Sequence, residues 1–152
     1  LARGSQRRCQ GGTYLMRTVS NYASFGEDGG SWTVKFKNPR MSRAAAALYA
    51  ECSGKLEAKR FHDLTTNEHS DPLSEVWGWL VSKVDTLNPD AIIERFERYP
   101  MITITKNEDK RIRDAGYKSS GSPADRFKSA GIEIVEVELK SGNIVGNFTL
   151  PE

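Results

Sequence analysis

The chain has 152 residues, 38% of them hydrophobic and 28% charged, enough apolar material to bury a core without metal or disulfide staples and no stretch polar enough for a long disordered tail. Its formal charge is +2, but Arg3, Arg7 and Arg8 stand in an opening segment without acids, so the remainder is balanced rather than basic. Cys9 and Cys52 lie far apart and outside any CxxC or Cys/His cluster, and no apolar run approaches bilayer length, so a disulfide framework, a zinc finger and a membrane role are all disfavoured. A cytoplasmic location is expected.

Leu1-Ala2-Arg3-Gly4-Ser5 reads as a trimmed protease site followed by a cloning scar. Residues 1–15 are therefore expected to be a tag-derived or flexible segment, with Met16 the natural start and 16–152 a single domain. Trp32, Val34 and Phe36 then alternate with polar neighbours over 31–37, after a Gly29-Gly30 turn, which is the period of a half-buried strand. Pro39 suits the first turn of a helix through Met41, Ala44, Ala45, Leu48 and Tyr49, with Gly54 as its stop. Residues 55–70 are rich in alternating charge and contain the turn-prone Thr65-Thr66-Asn67, so a short extended segment followed by a loop is expected there. Asp71-Pro72 supplies an N-cap and first residue for a helix whose apolar face is Leu73, Val76, Trp77, Leu80, Val81 and Val84. Asn88-Pro89 opens the next helix, through Ile92, Ile93 and Phe96 to Tyr99-Pro100, and the two are expected to form an αα-hairpin.

Met101 to Thr105 is a short β-branched run suited to a core strand, and Thr105 with Glu108 forms a capping-box signature for a helix closed by Gly116. Ser122-Pro123 caps a last short helix with Phe127 and Ala130 inward and Gly131 as its stop. Residues 132–139 alternate, but the apolar phase slips between Ile134 and Val135, the pattern of a β-bulge. Ser141-Gly142 then turns the chain toward Ile144, Phe148 and Leu150 as a C-terminal β-hairpin. The sum is an α+β fold: a small, mainly antiparallel sheet with about five helices, packed mainly on one face.

The two histidines, His62 and His69, both fall in the least regular stretch, where a group titrating near neutrality is accessible to a substrate. The run Glu68-His69-Ser70-Asp71-Pro72 resembles the first half of the HNH nuclease motif. The resemblance implies that Glu68 binds a divalent cation, Mg²⁺ or another, and that His69 is the general base that activates water. The family's second half, a strand running into a helix with an asparagine and a further ligand, corresponds to Met101–Thr105 followed by Asn107, with Asp109 or Glu108 completing the metal site. A metal-free alternative gathers Lys59, Arg60, His62 and His69 around a phosphodiester, as in small ribonuclease toxins. On the polar helix after Thr105, Lys106, Lys110 and Arg113 share one face that suits phosphate contacts with DNA or RNA. The third reading is a non-catalytic protein-binding or inhibitor module. An exposed Trp79, which falls off the face set by Trp77 and Leu80, would mark its partner surface.

Overall fold

The computed structural model describes residues 10–27, 32–52 and 55–152. The Gly29-Gly30 turn, the Gly54 stop and residues 1–9 of the suspected tag segment lie outside these. The helices are α1 (Gln10–Phe25), α2 (Arg43–Glu51), α3 (Lys55–Leu64), α4 (Leu73–Ser82), α5 (Pro89–Arg98), α6 (Lys106–Asp114) and α7 (Pro123–Ser129). The strands are β1 (Arg40–Ser42), β2 (Thr65–His69), β3 (Met101–Thr105), β4 (Ile134–Glu138) and β5 (Asn143–Asn147). They form one sheet in the order β2-β3-β1-β4-β5, antiparallel throughout except for the parallel β1 and β3 pair.

The elements with complete local signals form where they were expected. Asn88 caps α5 through Ala91 N, Ser122 caps α7 through Asp125 N, and Thr105 and Glu108 make a full capping box at α6. Gly116 and Gly131 follow α6 and α7 with φ of 84° and 63°, the left-handed conformation that a helix stop requires and that glycine adopts without a Cβ penalty. The C-terminal hairpin is present, turning at Gly142 with φ of 73°.

Four expectations about the type or start of single elements are corrected. The alternation at Trp32–Lys37 belongs to a 3-10 helix, not a strand, and the first strand lies just beyond it at β1. Residues 55–70 run helix then strand, so the turn-prone threonines are the start of β2. The helix expected from Pro39 starts only at Arg43, because Ser42 is the better cap: its hydroxyl accepts from Ala45 N at 3.0 Å. Pro72 stands at the α4 cap with no side-chain capping bond, since the Asp71 carboxylate is engaged by Arg95 at 2.7 Å instead.

Helices cover both faces of the sheet rather than mainly one. On one face Ile102, Ile104 and Ile134 pack with Ile112 of α6 and Phe127 of α7. On the other, Met41, Val135 and Val137 pack with Ala45 and Ala46 of α2 and Phe61 of α3. Ile134 and Val135 are therefore both buried because β4 is covered on both sides. The bulge exists, but the extra residue is Val145 on β5, set against the step from Glu136 to Val137. A third cluster joins Met16, Val19 and Ala23 of α1 to Leu73, Val76 and Leu80 of α4 and to Ile92 and Phe96 of α5.

A charge clamp under the beta2 edge

Residues directly opposite in an antiparallel pair share a face, and successive residues of a strand point to opposite faces. Glu68 is registered with Ile102, so it faces α6 and α7; His69 is registered with Met101, so it faces the other side. Neighbours in sequence thus belong to different sites.

On the α6 and α7 face, Arg126 is the organising group. Its side chain is fully buried, yet each of its nitrogens has an acceptor: Nε donates to Tyr117 O at 3.0 Å, Nη1 to His69 O at 2.5 Å and Ser70 O at 3.0 Å, and Nη2 to Glu68 Oε1 at 2.6 Å. The clamp ties α7, the segment after α6 and the end of β2 together. Burial pushes the Glu68 carboxyl above its ordinary range, with Arg126 pulling it back down and the nearby Asp109 charge adding to the rise. Asp109 in turn meets Arg113 Nη2 at 3.2 Å. Glu68 and Asp109 are thus brought close, but each carboxylate already faces a guanidinium.

Glu108 is held apart from them by its structural duties. Its Oε2 accepts from Thr105 N at 2.9 Å, from Thr105 Oγ1 at 2.9 Å and from Ser42 Oγ at 2.5 Å, so one buried carboxylate serves the starts of both α6 and α2. Asn107 is exposed in the first turn of α6. Among the described residues, no group of three or more His, Cys, Asp or Glu side chains could hold a metal ion.

His69 does not join this cluster. Its register partner Met101 is four residues from Thr105, about 13 Å at the usual strand rise, and its ring lies on the opposite face from α6. Burial pushes its pKa down to about 4, with the charges of Arg17 and Arg126 acting in the same direction, and Nε2 has no hydrogen-bond partner among the described residues. Around it the sheet face is polar but satisfied: Thr103 Oγ1 donates to Asn67 Oδ1 at 2.7 Å, and Asn38 Nδ2 donates to Thr103 Oγ1 at 3.0 Å. A neutral imidazole of this kind has the protonation state of a base, but not the Asn107 and Asp109 neighbours that the motif requires. His62 sits on α3, half-buried, with its carbonyl accepting from Lys35 Nζ at 2.9 Å.

The basic residues expected to hold phosphate are mostly engaged within their own helices. Lys59 pairs with Asp63 at 2.5 Å, Lys110 with Asp114 at 2.5 Å, and Arg60 with Glu57 at 3.4 Å and Glu51 of α2 at 3.8 Å. Such neutral pairs leave little net field to attract a polyanion. Lys106 is exposed and close enough to Lys35 to help lower the lysine's pKa, after burial.

The tryptophans exchange the roles expected of them. Trp79 is half-buried, with the Arg95 guanidinium of α5 4.7 Å above its ring, whereas Trp77, Val81 and Val84 are 44%, 58% and 72% exposed. Arg126 and the outer face of α4 are the features that sequence reading missed. An arginine in a helix reads as a surface cation, and an apolar helix reads as buried; only the near-absence of charge on α4, Glu75 alone, hinted that both of its sides are apolar.

The chain is thus an α+β protein with helices on both faces of a five-stranded sheet, and no helix among its described residues is long and apolar enough to cross a membrane. No family model matches it, and neither a curated protein nor a solved structure is found to be similar.

Proposed function

We propose that this chain is a non-catalytic protein-binding module that presents the outer face of α4 to its partner. The observation that carries the reading is the exposure of Trp77 and Val81 on a helix with a single charged residue, with Val84 exposed just past its C-cap. A folded chain places large apolar groups together in water at a free-energy penalty, and contiguous patches of this kind mark binding surfaces. Tyr14, Leu15 and Tyr22 of α1 are also exposed, and tyrosine is among the residues that interfaces favour.

A second reading, a divalent-metal-dependent HNH-like hydrolase acting on DNA or RNA, keeps one observation in its favour: the Asp109 charge is near enough to Glu68 to help raise its carboxyl. Against it stand the arginine on each carboxylate and the separation of His69 from both.

One experiment decides between them. DNA and RNA are incubated with the protein in Mg²⁺ or Mn²⁺, and a photo-crosslinking residue is placed at Val81 or, as control, at Lys128 of α7. The binding reading expects intact nucleic acid and protein cross-links from position 81 alone. Metal-dependent cleavage that disappears in Glu68→Gln would overturn it.

A further inference from the structure

We infer that the open edge of the sheet at β2 is guarded: the Lys35 ammonium and the Arg126 guanidinium hold its outward carbonyls, and loss of the Lys35 charge lets the β2 strand of a second copy add there. This edge is separate from the α4 surface.

The strand order β2-β3-β1-β4-β5 leaves one side of β2 without a neighbour in the sheet. In an antiparallel pair, residues alternate between those that exchange both backbone bonds with the partner strand and those that turn both groups away. Met101 is of the second kind: its N–H donates to Ser24 Oγ at 3.2 Å and its carbonyl accepts from Asn38 Nδ2 at 3.1 Å. At the other end of β3 the Thr105 N–H is likewise spent, on Glu108 Oε2 at 2.9 Å. Their register partners His69 and Thr65, with Asn67 midway between them, therefore turn their backbone groups away from β3 and off the edge.

A bare row of outward groups is a template for a strand of another chain. Here both ends of the row are occupied. Lys35, from the 3-10 helix before β1, donates through Nζ to Thr65 O at 2.7 Å and to His62 O at 2.9 Å. Arg126 Nη1 donates to His69 O at 2.5 Å. Asn67 alone is left between them, and a strand that paired with it would have to bring its own N–H groups to the two outer carbonyls and displace both cations. Lys35 resists displacement because its ammonium is partly desolvated: burial, and then the charge of Lys106, push its pKa down, and without these acceptors the charge would be left poorly solvated. The far edge of the sheet is blunted by a different device, the bulge at Val145 of β5, which breaks the spacing that a pairing strand needs. Arg126 is also tied to Tyr117, Ser70 and Glu68, so Lys35 is the guard that can be removed with less damage to the fold.

Hydrogen exchange and sedimentation velocity of the full chain test the inference. In dilute wild type the Asn67 amide is expected to exchange at least about tenfold faster than the amides of Thr66 and Glu68, which bond to β3. Equal protection of the three overturns the edge geometry before any variant is made. Wild type and Lys35→Arg are expected to show no slowing of Asn67 exchange as concentration rises. Lys35→Met keeps the apolar stem without the ammonium; it is expected to associate with rising concentration, with Asn67 exchange slowing in step. Lys35→Gln, which retains a neutral donor, is expected to behave in the same way but more weakly, and it carries the test if the methionine variant does not fold. A structural role alone would speed exchange at the end of α3, where His62 O loses its donor, and leave Asn67 unchanged at every concentration; that result overturns the guard. Association without protection of Asn67 uses another surface and overturns it equally.

Discussion

Acidification should destabilise this protein through one imidazole. The unfolded chain protonates His69 near the ordinary 6.5, but in the fold burial beside Arg17 and Arg126 holds the ring neutral down to about 4. Between those values the unfolded state carries the extra proton, so unfolding free energy falls as pH falls through the window and loses nothing more from this group below it. At 1.36 kcal/mol per unit, the shift amounts to about 3 kcal/mol, a large fraction of the roughly 5–15 kcal/mol that holds a domain together. Glu68 and Asp71 act with the opposite sign. Burial raises their carboxyls, so the folded state takes up their protons first and gains stability through them as pH falls. The total slope is therefore composite, and the difference between wild type and His69→Leu isolates the imidazole. Leucine suits the site because Nε2 has no partner to lose. Urea denaturation followed from neutral pH to about 4 should show a gap between the two proteins that widens in favour of the variant. Parallel curves, or an NMR titration of His69 near its ordinary value, would refute the reasoning.

Arg126→Met should lose about 3–5 kcal/mol in chemical denaturation, because it strands the Glu68 carboxylate in a buried site, and pairing it with Glu68→Gln should recover part of that loss; no recovery would mean that the backbone carbonyls, not Glu68, need the arginine. Glu108→Ala removes the acceptor shared by Thr105 and Ser42 and should cost about 2 kcal/mol, with faster hydrogen exchange at the first turns of both α6 and α2; protection lost at α6 alone would separate the two caps. Gly121→Ala, at φ 95° and with a Cβ that would meet the Tyr117 ring, should lower the Tm more than Gly116→Ala, which has a similar φ of 84° but open space around it. Equal losses would show that backbone strain alone sets the cost.

What could be read from the chain directly was whatever is decided within a few residues. Asn88-Pro89, Ser122-Pro123 and the Thr105 and Glu108 pair each satisfy free helix N–H groups from an adjacent side chain, and Gly116 and Gly131 supply the positive φ that ends a helix, so no distant partner was needed to call those elements into place. Met101–Thr105 was legible because a short β-branched run has few other uses. Local pattern failed where it was ambiguous. Trp32–Lys37 alternates like a strand but coils as a 3-10 helix, and the Ile134 and Val135 doublet records burial on two faces rather than the bulge, which sits across the hairpin at Val145.

The candidate site depended on distance in space, and the sequence held only half of it. Placing Glu68 and Asp109 near each other followed from β2 pairing with β3 and β3 running straight into α6. Sending His69 the other way followed from strand alternation, a rule hidden while residues 65–67 read as a turn. Arg126 and the exposed side of α4 were decided by tertiary structure alone: whether an arginine is buried, or an apolar face is left in water, depends on which remote backbone carbonyls and helices arrive beside it, and no neighbour in sequence carries that information.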